Sequence, residues 1–231
     1  MNCLRIKMNA VIVFAKYPHP GKVKTRLGRT LSPGFAAEFY KLVAEHTFDV
    51  CLSLPVNEYD LHLFYTGSSD EGLLRSWVTG RFHFRLQAGE DLGEKMKDAF
   101  RTLFNNSYKK VIIIGTDCPE IDADLVVKSF EKLAQNNIVV GPSPDGGYYL
   151  LGMDKFYPFL FDEIQWSSGQ VFSETIVKAR RENLSWSVLP ELIDIDTKED
   201  LSKWLKVSGR NSKMIELIDH FGIRKTLKFR G

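Results

Sequence analysis

A chain of 231 residues, 44% hydrophobic and 26% charged, has enough apolar content for one large α/β domain or two small ones. Its formal net charge of +2 offers no basic field of the kind that holds nucleic acid. The three cysteines, Cys3, Cys51 and Cys118, are far apart and lack metal-ligand spacing, which points to a reducing cytoplasm rather than a disulfide framework.

The first apolar run, residues 10–15, has the length of a buried strand and is too short for a signal core or a membrane span. It runs into a loop, residues 16–27, that carries Lys16, Lys22, Lys24 and Arg26. Pro18 and Pro20 stiffen this loop, and Gly21 lets the backbone approach a ligand. Cations at the carboxyl end of a first strand suit a polyphosphate, with lysine as a point charge and arginine as a two-pronged donor. The spacing is neither that of a Walker A loop nor of a dinucleotide Gly-x-Gly-x-x-Gly loop. A solvated basic loop is the plainer alternative.

Ser32 and Pro33 open a helix as cap and first-turn residue, with Phe35, Phe39, Leu42, Val43 and His46 at helical spacing on its packed face. Residues 59–66 alternate as a second strand, 71–78 suit a short helix, and 81–87 form a third strand. Gln87 to Gly93 is a polar, glycine-bearing loop before a helix that starts near Lys95. An anion or a base edge would fit at this helix start, with Gln87 and Gly93 beside it; a plain turn capped by Asp91 is the alternative.

Val111, Ile112, Ile113 and Ile114 are four β-branched aliphatics in a row, the pattern of a strand buried on both faces. The run ends in Gly115-Thr116-Asp117-Cys118-Pro119, placing an acid at the strand's carboxyl end, where open α/β sheets bind ligands. Asp117 there serves a divalent cation or a ribose hydroxyl, or else satisfies turn amides.

A crossover helix follows over 122–134, then a strand over 137–141. The turn Pro144-Asp145-Gly146-Gly147 returns the chain through Tyr148. As a hairpin it needs little explanation; as a site, Gly146 and Gly147 would admit an acceptor beside Asp145 and Tyr148. A helix is expected over 171–181 and a strand over 186–189. The short extended run 192–197 again ends in acid, Asp194 and Asp196, before a helix capped by Thr197 or Asp196 with Asp200 as its third-position acid. Residues 208–212 read as a linker, 214–221 as a small terminal helix, and the basic tail with Arg224, Lys225, Lys228 and Arg230 as a solvated end. Strands alternating with helices give a three-layer, Rossmann-like α/β domain over residues 1–207, and the late hairpin strand makes its sheet mixed.

Three motifs together, the stretch from Phe14 to Leu27, Gly115-Thr116-Asp117-Cys118-Pro119, and the stretch from Gly141 to Gly152, resemble the DUF2064 or radical-SAM/selenodomain-associated transferase family, some members of which are named arsenosugar-biosynthesis glycosyltransferases. The resemblance covers about residues 9–205 in motif order. It implies the nucleotide-diphospho-sugar transferase (GT-A) fold, which also serves molybdenum-cofactor and phospholactate guanylyltransferases. It further implies a Mg²⁺ or Mn²⁺ site at Asp117 and Asp196, with Asp194 as the other choice for the second acid. Phosphate binding would fall to Lys22, Lys24 and Arg26. Two departures stand out: the first loop is not the glycine-rich loop of the molybdenum-cofactor enzymes, and the central motif has one acid rather than Asp-x-Asp. The resemblance therefore implies a cytoplasmic, metal-dependent transferase that takes a nucleotide-activated donor and a small-molecule acceptor. Glycosyl transfer from a nucleotide sugar is the first reading, nucleotidyl transfer from a nucleoside triphosphate the second, and a non-catalytic nucleotide-binding protein the third. Catalytic roles fall to Asp117, Asp145 and Lys24, and phosphate or nucleotide contacts to Lys16, Gly21, Lys22, Lys24, Arg26, Gln87 and Gly93.

Overall fold

The computed structural model describes residues 9–166, 168–207 and 212–227. The linker expected at 208–212 therefore lies almost wholly outside the described residues, as do Lys228, Arg230 and Cys3.

Strand β1 (Asn9–Ala15) sits near the middle of a seven-stranded sheet, pairing in parallel with β2 (Tyr59–Tyr65) on one side and β4 (Lys110–Ile114) on the other. Strand β3 (Phe82–Leu86) extends the parallel side from β2. Beyond β4 the direction reverses: β6 (Tyr148–Met153) pairs antiparallel with both β4 and β5 (Ile138–Pro142), and β7 (Trp186–Val188) closes the edge parallel to β5. The order is β3-β2-β1-β4-β6-β5-β7. The mixed sheet expected from the late hairpin is thus present, because the Ser143–Gly147 turn sends β6 back between β4 and β5.

Helices cover both faces. On one, α2 (Pro33–Ser53) and α5 (Ala123–Lys132) bury Ala37, Tyr40, Ala44, Phe48, Val126 and Phe130 against Val11, Val13, Leu61, Leu63, Ile112 and Ile114. On the other, α4 (Leu92–Asn105) and α6 (Val171–Arg181) pack Met96, Phe100, Leu103 and Ala179 against Ile12, Phe64, Val111, Ile113, Val140 and Leu151. Adjacent β4 residues therefore serve opposite cores, and an all-aliphatic run with no polar alternation is what such a doubly covered strand requires.

A third cluster forms at the flank. The short helix α1 (Thr25–Thr30) contributes Leu27, α2 gives Phe35 and Phe39, and α7 (Lys198–Val207) gives Leu201 and Trp204. Helix α8 (Ser212–His220) adds Met214 and Ile218, and Ile223 and Leu227 at α9 (Ile223–Thr226) complete it. The expected terminal helix is present, but the chain beyond it is not simply solvated: Arg224 is exposed whereas Leu227 is buried. Helix α3 (Glu71–Trp77) lies between β2 and β3 in the chain.

Two local expectations change. The cationic loop ends early, since Thr25 already starts α1. The run 192–197 forms no strand of its own; it is an irregular segment tied to β5 by Leu192 N–H donating to the Pro142 carbonyl at 3.2 Å and to the segment after β4 by Ile195 N–H donating to the Asp117 carbonyl at 3.1 Å. Thr197 does cap α7: its backbone N–H donates to Asp200 Oδ2 at 2.9 Å and the Asp200 N–H returns to Thr197 Oγ1 at 3.1 Å.

Candidate active site

The carboxyl ends of β1 and β4 lie side by side because the two strands pair in register from Asn9 with Lys110 to Val13 with Ile114. The cationic loop leaves one end and Gly115-Thr116-Asp117 leaves the other. Between them opens a cleft of about 430 Å³, lined among others by Lys16, Lys22, Lys24, Asp117, Asp194 and Asp196.

Lys24 is its centre. The residue sits in the left-handed region (φ 44°, ψ 46°) at the start of α1, a conformation that costs a non-glycine residue roughly 1 kcal/mol or more and so marks a position held by its surroundings. Its side chain is 2% exposed. The ammonium lies 2.5 Å from Asp117 Oδ1, 3.1 Å from Asp194 Oδ1 and 3.3 Å from Asp196 Oδ1. Arg26, two residues on and mostly exposed, reaches to 3.8 Å from Asp196 Oδ2. Segments about 90 and 170 positions down the chain from Lys24 are thus gathered on one buried cation.

The electrostatics follow from that geometry. Burial alone lowers the pKa of Lys24, but the three surrounding carboxylates outweigh it and hold the ammonium charged well above its ordinary range. Asp194 is pushed the other way, up to about 7, first by burial and then by repulsion from Asp117 and Asp196, with Lys24 pulling against both. Cys118, next to Asp117 and buried, has its thiol pushed up chiefly by burial, so it is no nucleophile at neutral pH.

A hydrogen-bond chain fixes the two strand ends. The Lys16 backbone N–H donates to Tyr40 Oη at 2.9 Å, Tyr40 Oη lies 3.0 Å from Thr116 Oγ1, and Thr116 Oγ1 donates to the Phe14 carbonyl at 3.1 Å. With Thr116 already donating to Phe14, Tyr40 donates to Thr116. Burial, then the charge of Asp117, raises the Tyr40 phenol to about 12, keeping it a donor. Sequence reasoning passed over Tyr40, which lies one position past Phe39 on the packed side of α2; only its polar end, inside an otherwise apolar face, signals a role.

The other expected residues divide. Gln87 lines the cleft with its side-chain amide donating to the Phe64 carbonyl at 2.9 Å; Tyr148 also borders it, but its hydroxyl is buried and turned to Thr175 of α6. Gly21 (φ 79°) shapes the loop turn without walling the cleft. Gly93 faces away from it, in contact with Trp166: a Cβ there would come 2.0 Å from the indole Nε1. Asp145 does not join the Lys24 cluster. Its Oδ1 accepts from Ser143 Oγ at 2.6 Å and from the Gly147 N–H at 3.0 Å, closing the hairpin turn. Gly146 (φ 84°) packs on the Gly169 carbonyl. Neither Asp145, Gly146 nor Gly147 lines the cleft.

Among the described residues no group of three or more His, Cys, Asp or Glu side chains is arranged to hold a metal ion. The donor set nonetheless fits Mg²⁺ or Mn²⁺ in a more open form. Asp117 and Asp196 are 39% and 45% exposed on the cleft, and such cations are commonly held by one or two carboxylates, with substrate phosphates and water completing the shell.

Residues 53–168 match the family described as an uncharacterized protein conserved in bacteria (DUF2064). The chain belongs to the DUF2064 family. Its structure superimposes with a TM-score of 0.86 on a candidate nucleotide-diphospho-sugar transferase from Desulfovibrio desulfuricans G20, at 34% identity over 94% of this chain and 97% of the other. This DUF2064 member also shares its fold with 4-diphosphocytidyl-2C-methyl-D-erythritol synthase from Anaerococcus prevotii DSM 20548 (TM-score 0.58, 13% identity, 88% and 97% covered). A CMP:2-keto-3-deoxy-manno-octonic acid synthetase complexed with CTP is similar to the same degree (TM-score 0.54, 11% identity, 88% and 99% covered). No protein of curated function matches in sequence. The fold is therefore the nucleotide-diphospho-sugar transferase type, a three-layer α/β architecture around a mixed sheet.

Proposed function

We propose that this protein is a metal-dependent transferase that takes a nucleotide-activated donor and passes a glycosyl group to a small-molecule acceptor. The observation that carries the reading is the convergence of Asp117, Asp194 and Asp196 on Lys24, with Lys16 and Lys22 on the same cleft wall.

Transfer from a nucleotide sugar breaks the bond between the anomeric carbon and the diphosphate, and negative charge grows on the leaving phosphate. Lys22, Lys24 and Arg26 are the chain's own donors for that charge; Lys24 is the one buried enough for its hydrogen bonds to count fully, while Arg26 is exposed and screened. The Tyr40–Thr116 chain holds Lys16 and Asp117 at fixed separation, so their positioning needs no reorganisation during reaction. Asp117 and Asp196 would hold the divalent cation, which when bound supplies further charge neutralisation at the donor phosphates. Gln87, whose amide nitrogen is held by the Phe64 carbonyl, offers the cleft its side-chain oxygen for orienting donor or acceptor.

A second reading is nucleotidyl transfer with release of pyrophosphate. It is favoured by the lone acid in Gly115-Thr116-Asp117 and by the shared fold of the two cytidylyl-named enzymes. The test is a thermal-shift panel of nucleoside triphosphates and nucleotide sugars, each with and without Mg²⁺ or Mn²⁺. A metal-dependent shift with a nucleotide sugar supports glycosyl transfer and names the donor; a shift with a triphosphate alone replaces it by the nucleotidyl reading. No shift with any member of the panel would count against both.

A further inference from the structure

The Lys24 ammonium occupies the point on which the acids converge. Its three contacts are to Oδ1 of Asp117, Oδ1 of Asp194 and Oδ1 of Asp196, so the inward oxygens of both expected metal ligands are already taken by a cation. A divalent ion held by Asp117 and Asp196 would have to bind beside the ammonium, on the oxygens it already contacts or on the second oxygen of the same carboxylates, and two cations on one carboxylate repel each other. Among the described residues, the ion pairs of this buried lysine are these three. Three carboxylates left without a counter-ion would equally repel one another. One cation at this point is needed, and the ammonium and a divalent ion are rivals for the same position.

We infer that Lys24 is the resident counter-ion of the Asp117–Asp194–Asp196 triad and competes with the divalent cation for it, so that the metal binds well only when donor phosphates draw the ammonium away. This rests on the donor and metal reading above and adds its regulation. Metal and phosphate binding become coupled through a single side chain: each makes room for the other. The ligand-free protein then spends little of its time charged with metal, and Lys24 is delivered to the phosphates at the moment the cation arrives. Reciprocal coupling of this kind spans about 5- to 150-fold in typical proteins.

The test uses the full chain and Mn²⁺ alone, with free Mn²⁺ counted by its room-temperature EPR signal. Wild type, Lys24→Gln and Lys24→Arg are titrated, each also with Asp117→Asn. Lys24→Gln, which removes the competing charge, should bind Mn²⁺ on the order of tenfold more tightly than wild type. Lys24→Arg, which keeps it, should stay weak. Asp117→Asn should abolish the gain. If Lys24→Gln is poorly folded without metal, its melting temperature should rise with Mn²⁺ far more than that of wild type, because the ion replaces the lost cation; no such rescue overturns the inference. Equal Mn²⁺ affinity in wild type and Lys24→Gln overturns it while leaving the metal site standing. If no variant binds Mn²⁺, even with UDP-glucose, GDP-mannose or a nucleoside triphosphate added to wild type and the Mn²⁺ held by the nucleotide alone subtracted, the metal reading falls and this inference with it.

Discussion

Lys24 Nζ lies 2.5 Å from Asp117 Oδ1, joining the left-handed residue that starts α1 to the acid that ends the β4 segment. The pair links the basic side of the cleft to its acidic side. Yet Asp117 is 39% exposed and Lys24 keeps Asp194 and Asp196 when it is lost. Asp117→Ala should therefore leave the fold intact and remove most of the metal-dependent thermal shift produced by the donor. Thermal-shift titration of both proteins with the donor identified by the nucleotide panel, with and without Mg²⁺, checks this. An unchanged metal-dependent shift removes Asp117 from the site.

Tyr40→Phe should separate positioning from packing. The ring stays in its place between α2 and the sheet, but the Lys16 N–H loses its acceptor and Thr116 loses a donor. The Lys16 bond is only part-buried and the Thr116 bond is buried, so losing both should cost about 1 kcal/mol, read as a lower urea midpoint at an unchanged slope. Donor affinity should fall as well, because the cationic loop leaves β1 at Lys16. A loss of stability with donor binding unaltered would make the chain purely structural.

The acids of this site were legible in the sequence and their counter-ion was not. Asp117 stands out because an uninterrupted aliphatic strand ends beside it, and Asp196 because an acidic run precedes a capped helix. Lys24 carries a catalytic and phosphate-binding expectation, but nothing in the sequence marks it as buried among the acids. Its burial depends on a positive φ and on two segments far along the chain, and neither leaves a trace in local pattern. Gly93 and Gly146 show the same limit. The sequence suggests nucleotide contact for Gly93 and acceptor access for Gly146, whereas each makes room for the protein itself, Trp166 in one case and Gly169 in the other. A small residue announces a close approach but not what approaches.

Gly146→Ala follows from that correction. At φ 84° an L side chain is strained, and the new Cβ would stand 2.0 Å from the Gly169 carbonyl oxygen, a backbone atom that cannot swing aside. The Phe172 N–H donates to the Gly146 carbonyl at 2.9 Å, so any shift is passed to the start of α6. A loss of more than about 1 kcal/mol is expected, read by chemical denaturation. A neutral result would show that this turn is looser than its contacts imply.

The pH response carries a defined sign. Asp194 is raised from its ordinary 3.8 to about 7, so the native state holds its proton through a range where the unfolded chain has released it. The stability this contributes is fully present below about pH 4 and is lost as the pH rises through 7. Lys24 stays charged across that range in both states and adds no slope there. The ligand-free protein should therefore lose stability between pH 4 and 7 by this term, and Asp194→Asn should flatten the profile. Melting temperatures at half-unit pH intervals for both proteins decide it: parallel profiles would assign the slope to other groups.

The last helices bear on the site more than their distance suggests. Ile218 of α8 is fully buried in the same cluster as Trp204 of α7, Phe35 and Phe39 of α2, and Leu27 of α1. Leu27 lies three residues beyond Lys24, within the short helix whose first turn Lys24 opens. A helix of six residues has little stability of its own and owes its place to what Leu27 packs against. Ile218→Ala should cost about 2–5 kcal/mol, as expected for a buried isoleucine. If the cluster supports α1, hydrogen exchange should rise at the amides of α1 as well as at α8, and donor binding should weaken even though residue 218 touches no part of the cleft. Faster exchange confined to α8 would mean that α1 is held by the Lys24 ion pairs alone.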